Sequence, residues 1–481
     1  MNGDIDVNNE TLEFIRNYEY EPNEGIRFTS IILLSYNKLD YTRLCIESIR
    51  KFTPKDHYEI IVVDNNSEEE TVNWLKDQDD LKVIYNDYNA GFPKGCNQGI
   101  EISKGESILL LNNDTIVTPN WLNNLDRALY NSEKTGAVGA ITNSCSNGQA
   151  IGVTYKDIGE MIKFSYLIES LNEKSYEYKL NLIGYCYLIK KEVLDKVGLL
   201  DEIFTPGNYE DNDLSYRILS SGYDLILARD TFIHHFGSVS FGANPQNYNS
   251  TIITNFYKFN EKWGFNVDKS LAMRADLANL MTSNSDDNIN VLEIGCGVGG
   301  TLIEFRNRYK NANIYAIEKN KNSGNVAKGF ANVIIADVEE IDLPYEKKYF
   351  DYIILGDVLE ELRDPWKALK ILKEYLKDDG YILASIRNIM HISAIRQILT
   401  GSFPYSDSGI LEKDNLRFFA GYDIQKMFLE NGYKINTIYQ QRTNVTQDEE
   451  EFINKLCQIT GEAYRLQYLT SNYILKASKA N

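Results

Sequence analysis

Ser107-Ile-Leu-Leu-Leu-Asn-Asn-Asp-Thr-Ile-Val-Thr118 decides how the first half of the chain is read. The apolar run Ile108–Leu111 predicts a buried strand of a parallel sheet, and it stops at Asn112-Asn113-Asp114. Polar groups at the carboxyl end of such a strand face the ligand crevice of an open α/β sheet. An acid held there is placed to share a divalent cation with a diphosphate, because Mg²⁺ and Mn²⁺ prefer carboxylate and phosphate oxygens. Asn-Asn-Asp is also good turn chemistry, so the triplet alone supports either reading.

The residues before it repeat one pattern. Ser30–Asn37 reads as a strand, and Tyr41, Leu44, Cys45, Ile49 and Phe52 fall on one face of a helix that ends before Pro54. Glu59–Ser67 is a second strand closing at Asp64, and Leu81–Asn86 is a third, followed by the glycine-containing stretch Asn89–Gly99. Four short strands alternating with helices predict a nucleotide-binding α/β sheet. Asp64 stands where a carboxylate can accept hydrogen bonds from a base or ribose. Residues 1–25 are polar and acidic, a terminal extension with no assigned role.

Composition narrows the function class. A chain of 481 residues predicts two or three domains, and 43% hydrophobic with 25% charged residues is the balance of a globular protein. A net charge of −19 argues against a nucleic-acid groove, which needs clustered Lys and Arg. Six cysteines lie scattered without a C-x-x-C pair, so neither a zinc site nor a disulfide framework is expected. The N-terminus lacks a signal-peptide pattern and no apolar run approaches membrane-spanning length, which gives a cytoplasmic expectation. Oligomeric state is not legible.

Four motifs in order, SYNKLDYTRLCIESI (35–49), VVDNNS (62–67), NAGFPKGCNQGI (89–100) and LLLNNDTIVTPNWL (109–122), closely resemble the family 2 nucleotide-sugar glycosyltransferases of GT-A fold. The resemblance implies that Ser35, Tyr36 and Asn37 edge the nucleotide and that Asp64 holds the uracil or thymine side. It implies that Asn89, Gly91, Phe92, Lys94 and Asn97 shape the diphosphate pocket together with Asn112 and Asn113. Asp114 then takes the metal-bearing position of the family's D-x-D motif, with Mg²⁺ or Mn²⁺ as the cation. Here that motif keeps one carboxylate. After an unmatched stretch, 142–180, the likeness resumes over 183–242. Its Glu210-Asp211-x-Asp213-Leu214 segment implies a helix under the acceptor, with Asp211 as general base, Glu210 beside it, and Asp213 orienting the helix or acceptor. A carboxylate near a helix N-terminus stays ionised, and one base opposite one leaving group implies inversion. Helix capping is the plainer alternative for these acids. His235, before Phe-Gly-Ser-Val-Ser, resembles a late metal or diphosphate contact; His234 stays open as the alternative.

Residues 266–289, an amphipathic helix SLAMRADLANLM followed by the polar segment TSNSDDNIN, read as a linker, which sets the domains at 26–265 and 290–481. Asn290–Phe305 is a strand, a glycine loop and a helix, with Glu293-x-Gly295-x-Gly297-x-Gly299 at its centre. Later strands are expected to end at Glu318, Asp337 and Gly356-Asp357. This succession resembles the class I S-adenosylmethionine-dependent methyltransferases, a Rossmann-like fold, to the C-terminus. The resemblance implies that Glu293, Gly295, Cys296, Gly297 and Gly299 hold the methionine part, Glu318 the ribose, Asp337 the adenine edge, and that Asp357 borders the sulfonium. Nicotinamide binding is the competing reading of the glycine loop. Relatives carry His where this chain has Glu361, so Glu361 or His391 is expected to replace it as base. The stretch 391–419 resembles a substrate-side insert. The combined expectation is an inverting glycosyltransferase using a UDP- or dTDP-sugar, with rhamnosyl or N-acetylhexosaminyl transfer the candidates, fused to a methyltransferase. Its acceptor would be a glycan on a surface polysaccharide or a protein such as flagellin. In the alternative, the second domain is a non-catalytic cofactor-binding or acceptor-docking module.

Overall fold

The computed structural model describes residues 3, 5–237 and 245–480. The chain divides into two compact units, Met1–Gly264 and Phe265–Asn481.

The first unit carries β1 (Thr29–Ser35), β2 (Tyr58–Asp64), β3 (Leu81–Tyr85), β4 (Ser107–Asn112), β5 (Thr115–Ile116), β6 (Thr135–Thr142), β7 (Tyr176–Lys179), β8 (Cys186–Lys190) and β9 (Asp224–His235). They form one nine-stranded mixed sheet in the order β3-β2-β1-β4-β8-β6-β9-β5, with β7 on β9. β1 runs parallel to both β2 and β4, whereas β8 is antiparallel to β4 and β6. Helices cover the central strands on both faces, so Ile31, Leu33, Ile60, Val62, Leu109 and Leu111 are buried. Helix Phe92–Glu101 lies close on β1 because its glycines leave room: a Cβ at Gly95 would meet Leu34 Cδ2 at 2.9 Å, and one at Gly99 would meet Ile32 Cγ2 at 2.6 Å. The terminal extension is more than a tail. Its helix Asn9–Asn17, capped by the Asn8 side chain, buries Leu12 and Ile15 in the core of this unit.

The second unit carries β10 (Asn290–Ile294), β11 (Asn313–Glu318), β12 (Asn332–Ile335), β13 (Phe350–Gly356), β14 (Leu376–Arg387), β15 (Tyr433–Arg442) and β16 (Thr470–Lys479). Their order is β12-β11-β10-β13-β14-β16-β15, parallel from β12 to β14, with β16 antiparallel to both neighbours. Chain order reverses at β10, which leaves a switch-point crevice between β10 and β13. β12 ends two residues short of Asp337. The stretch 266–289 is not a free linker. It folds into two short helices, Val267–Ser270 and Ala275–Ala278, and buries Val267, Leu277 and Ala278 within the second unit.

Gly99→Val should destabilise the first unit by about 1–3 kcal/mol, the usual cost of overpacking a filled core. Chemical denaturation followed by circular dichroism would measure it.

Candidate functional site

Strand register gathers the first site. Ser35 pairs with Asp64, and Leu34 pairs with Asn112, so the ends of β1, β2 and β4 share one sheet edge. The loops beyond them are tied together. The Asn65 N–H donates to Ser35 O (2.8 Å), Asn37 N–H to Ser67 Oγ (2.7 Å) and Glu68 N–H to Asn37 Oδ1 (2.7 Å). Asn37, Lys38 and Asn66 sit at positive φ, conformations held by that network. Asp64 Oδ2 accepts the Ser67 N–H, while Asp64 Oδ1 and Ser35 Oγ are buried without a hydrogen-bond partner. Two adjacent unspent polar atoms at a strand edge are what an incoming ligand would satisfy. Tyr36 beside them is exposed. The next loop joins this edge through Asn65 Nδ2, which donates to Gly91 O (3.3 Å), and Asn89 Oδ1 accepts the Gly91 N–H (3.0 Å). Gly91, at φ +79°, has no room for a side chain: a Cβ would lie 2.8 Å from Pro206 Cα. Lys94 Nζ donates to the Tyr88 hydroxyl (2.7 Å).

Asp114 lies just past β4, and β9 delivers His235 to it. Thr115 pairs with His235 across β5 and β9, and Asp114 Oδ1 stands 3.3 Å from His235 Nε2. Asn112 Nδ2 lies 3.4 Å from the same nitrogen, and His235 Nδ1 bonds Ser144 O at 2.7 Å. Burial opposes a charge on this imidazole; the Asp114 carboxylate outweighs burial and lifts the pKa above the ordinary value. His234, one residue earlier, points the other way. Its Nδ1 meets the Tyr155 hydroxyl (2.6 Å), and burial followed by the neighbouring His235 pulls it down to about 3, so it is a neutral core histidine. Ser238, Val239 and Ser240 of the same motif lie outside the described residues. Among the described residues no three His, Cys, Asp or Glu side chains gather as a metal cage. One carboxylate and one imidazole fit a Mg²⁺ or Mn²⁺ ion that takes its other ligands from phosphate oxygens and water.

The acidic pair opens helix Glu210–Ser220. Asn208 and Tyr209 before it both have positive φ, and Asn255 Nδ2 clamps this turn by donating to Phe204 O (2.6 Å) and Gly207 O (2.8 Å). Asp211 accepts N–H bonds from Asn212 (2.8 Å) and Gly184 (3.2 Å). Burial raises the Asp211 pKa and those backbone donors hold it back. Glu210, buried and beside Asp211, is pushed well above the carboxylate range by burial and then by that neighbouring charge. Both acids of the pair are thus shifted upward by burial, Glu210 the further of the two, against the expectation that the helix N-terminus alone keeps Asp211 ionised. Asp213 faces the helix packing instead: Arg217 Nε (2.8 Å), Trp263 Nε1 (3.0 Å) and Lys262 Nζ (2.5 Å) surround its carboxylate.

One short segment links the two acids. The Gly184 N–H holds Asp211, and the next residue, Tyr185, stacks on His235 with ring centres 5.1 Å apart. Phe92 closes the same corner, since a Cβ at Gly184 would meet Phe92 Cε1 at 3.3 Å and Asp211 Cβ at 3.9 Å. Two expected contacts point elsewhere. Asn97 spends its side chain on Leu200 and on Glu202 Oε1 (3.0 Å), and Asn113 Nδ2 donates to Thr42 Oγ1 (2.9 Å), so both brace loops from behind the crevice. Asn255 and Tyr185 escaped the sequence reading because an asparagine in a polar helix and a tyrosine in a strand motif carry no distinctive pattern.

In the second unit Gly295, Gly297 and Gly299 all take positive φ, and a Cβ at Gly299 would stand 2.5 Å from Phe330 Cε2. Cys296 between them is buried. Glu318 caps this loop, accepting N–H groups of Gly297 (2.8 Å) and Asn320 (2.7 Å). Glu293 is buried below it with Oε2 unpartnered, and burial, reinforced by the nearby Glu318 charge, lifts it to about 8. Asp357 is enclosed by Arg274 Nη1 (2.8 Å), Ser385 and the more distant Arg387, and Arg274 outweighs burial to hold it below the usual range. Asp337 meets Arg363 Nη2 at 3.1 Å. Both substitute bases already have partners. Glu361 is paired with Lys269 (2.9 Å) and Lys319 (3.0 Å), which lower its pKa against burial; His391 spends Nδ1 on Ser393 and Nε2 on Thr443 Oγ1 (2.7 Å). Lys269 and Arg274 were hidden within the apparent linker.

Residues 30–198 match the profile of Glycosyl transferase family 2, and residues 267–438 match that of a methyltransferase domain. The chain is 28% identical over 235 residues to a Sinorhizobium fredii protein named Uncharacterized protein y4gI, covering 46% of this chain and 26% of that one. It is 26% identical over 216 residues to Glycosyltransferase AglE of Haloferax volcanii, covering 43% and 66%. A segment of 105 residues is 28% identical to N-methyltransferase 4 of Papaver somniferum, covering 20% and 29%. The chain thus spans less than two-thirds of the length of each of these relatives. No helix among the described residues is long and apolar enough to cross a membrane.

An acid whose pKa rises on folding contributes stability that is complete below its unfolded value and lost as pH rises through its folded value. For Glu293 that window runs from about pH 4.5 to about 8. Calorimetry of the full chain should show the second unit's melting temperature falling across this window, with a shallower fall in Glu293→Gln.

Proposed function

We propose that this chain, which joins a family 2 glycosyltransferase domain to a methyltransferase domain, transfers a sugar from a UDP- or dTDP-linked donor with inversion and methylates the resulting glycan. The observation that supports the first half is the Gly184-Tyr185 link, which ties Asp211 to the ring stacked on His235, the partner of Asp114. Asp64 and Ser35 would receive the base and ribose side of the donor. A divalent cation bound by Asp114 and His235 would supply charge neutralisation at the departing diphosphate. Asp211 would take the proton of the acceptor hydroxyl, with Glu210, pushed well above the carboxylate range by burial and by Asp211, beside it. Phe92 and Gly184 would close the corner in which the acceptor is held.

In the second unit the glycine loop, Glu293 and Glu318 would seat S-adenosylmethionine, which supplies a methyl group on a sulfonium. Arg274 adds a cation beside Asp357 that suits the donor's carboxylate. Asp337 would border the adenine edge. Fusion raises the local concentration of the first product at the second site. The acceptor glycan would belong to a surface polysaccharide or a protein such as flagellin, and the donor sugar to the rhamnosyl or N-acetylhexosaminyl class.

A thermal-shift screen of nucleotide sugars followed by product mass spectrometry identifies the donor. With it, Asp211→Asn should lose about 10²–10⁴-fold in transfer, the usual worth of a general base, at near-normal donor affinity. Undiminished transfer would remove Asp211 from that role. Labelled methyl transfer to the glycosylated product should also be seen; cofactor binding without turnover would make the second unit a docking module.

A further inference from the structure

Glu360 is a buried acid that the account above leaves idle. It stands on the turn after β13, three residues past Asp357, 1% exposed, and its Oε2 has no hydrogen-bond partner. Oε1 accepts the Arg387 N–H at 2.6 Å, and the Glu360 carbonyl accepts N–H groups of Leu416 (2.8 Å) and Arg417 (2.9 Å). The carboxyl is thus fixed between the ends of β13 and β14 and the 388–419 insert, at the edge where open α/β sheets take their ligands. Its neighbours Asp357, Glu361 and Glu412 are occupied. Asp357 is held by Arg274 and Ser385, Glu361 by Lys269 and Lys319, and Glu412 by Lys269 and Arg387. The charged groups facing Glu360 are Asp357 and Arg387. The same insert exposes the rings of Phe403 and Tyr405, 5.2 Å apart, with half-buried Phe418 5.4 Å from Phe403, centre to centre. Exposed aromatic faces suit the C–H faces of a saccharide.

We propose that Glu360 is the proton acceptor of the second unit and that its methyl acceptor is a neutral hydroxyl of a saccharide, not an amine or a carboxylate. The proposal rests on the methyltransferase reading of that unit. The hydroxyl oxygen bonds to the methyl carbon of the sulfonium donor as the carbon–sulfur bond breaks, and that electron pair leaves on sulfur as a neutral thioether. The hydroxyl proton passes to Glu360 Oε2 and from there to water. A hydroxyl needs such a base because its alkoxide is scarce near neutral pH, whereas a carboxylate acceptor is already ionised. Burial, then the Asp357 charge, raises Glu360 to about 8, which matches its proton affinity to that task.

The test uses the full chain, S-adenosylmethionine, and a panel of methyl glycosides set against glucosamine and glucuronate. Wild type should methylate a methyl glycoside. Glu360→Gln should lose at least about 100-fold in turnover with unchanged cofactor affinity by calorimetry, and Glu360→Asp should recover part of it. Difference infrared spectroscopy gives a readout independent of turnover: a protonated carboxyl band that titrates near pH 8, is missing in Glu360→Gln, and shifts when a methyl glycoside is added. Wild-type turnover in Glu360→Gln, methylation of only the amine or the carboxylate, or a band indifferent to every glycoside would overturn the proposal. Should Glu360→Gln not fold, the infrared response of the wild-type chain decides. A wild-type chain that binds no S-adenosylmethionine would instead sink the methyltransferase reading, and this proposal with it.

Discussion

The contact between Asp114 and His235 joins the turn after the fourth strand to the end of the ninth, and the first site depends on it. β9 runs parallel to β6 and pairs antiparallel with β5, and this brings His235 against the turn that carries Asp114. With it, a lone carboxylate gains a nitrogen partner, a stacked Tyr185 behind that partner, and through Gly184 a fixed relation to Asp211. On the proposed reading, that chain of contacts would let one acid serve where the related motif has two, with the imidazole standing beside it as a second ligand. It also explains the divided fate of the two histidines, since alternation along a strand sends neighbours to opposite faces.

The second unit solves a similar problem with cations. Asp357, Glu361 and Glu412 crowd one sheet edge, and Arg274, Lys269, Lys319 and Arg387 neutralise them. Lys269 and Arg274 come from the segment that precedes β10, and Gly300 is confined by Ala272 O, 2.7 Å from where its Cβ would be. That segment therefore closes the glycine loop. Among these neutralised acids, Glu360 and Glu293 stand apart as buried carboxyls with an oxygen to spare.

Much of this was legible in the residues. Apolar runs that end in Ser35, Asp64 and Asn112 announce a parallel sheet, because strands buried on both faces cannot alternate. The glycines at 91, 99 and 299 stand where the protein's own Pro206, Ile32 and Phe330 leave no room for a side chain, a packing reason the motifs alone do not state. What stayed hidden depends on contacts between distant parts of the chain. Polarity left 1–25 without a role, and an amphipathic helix followed by a polar segment made 266–289 read as a linker, although Leu12, Ile15, Val267 and Leu277 are buried. Asn97 and Asn113 lie in the right motifs but face inward, and a motif does not say which way an amide points. The partners of Glu361 and His391, Lys319 and Thr443, are far away in sequence and could not be read from it.

The central claim is that Asp114 and His235 hold a cation which a nucleoside diphosphate completes. Electron paramagnetic resonance of Mn²⁺ titrated into the full chain with UDP or dTDP measures this directly. The account predicts a bound-ion signal that needs the nucleotide, disappears in Asp114→Ala, weakens in His235→Ala and persists in Asp211→Asn. Equal Mn²⁺ binding by the wild type and Asp114→Ala, or no nucleotide-dependent binding in the wild type, would contradict it.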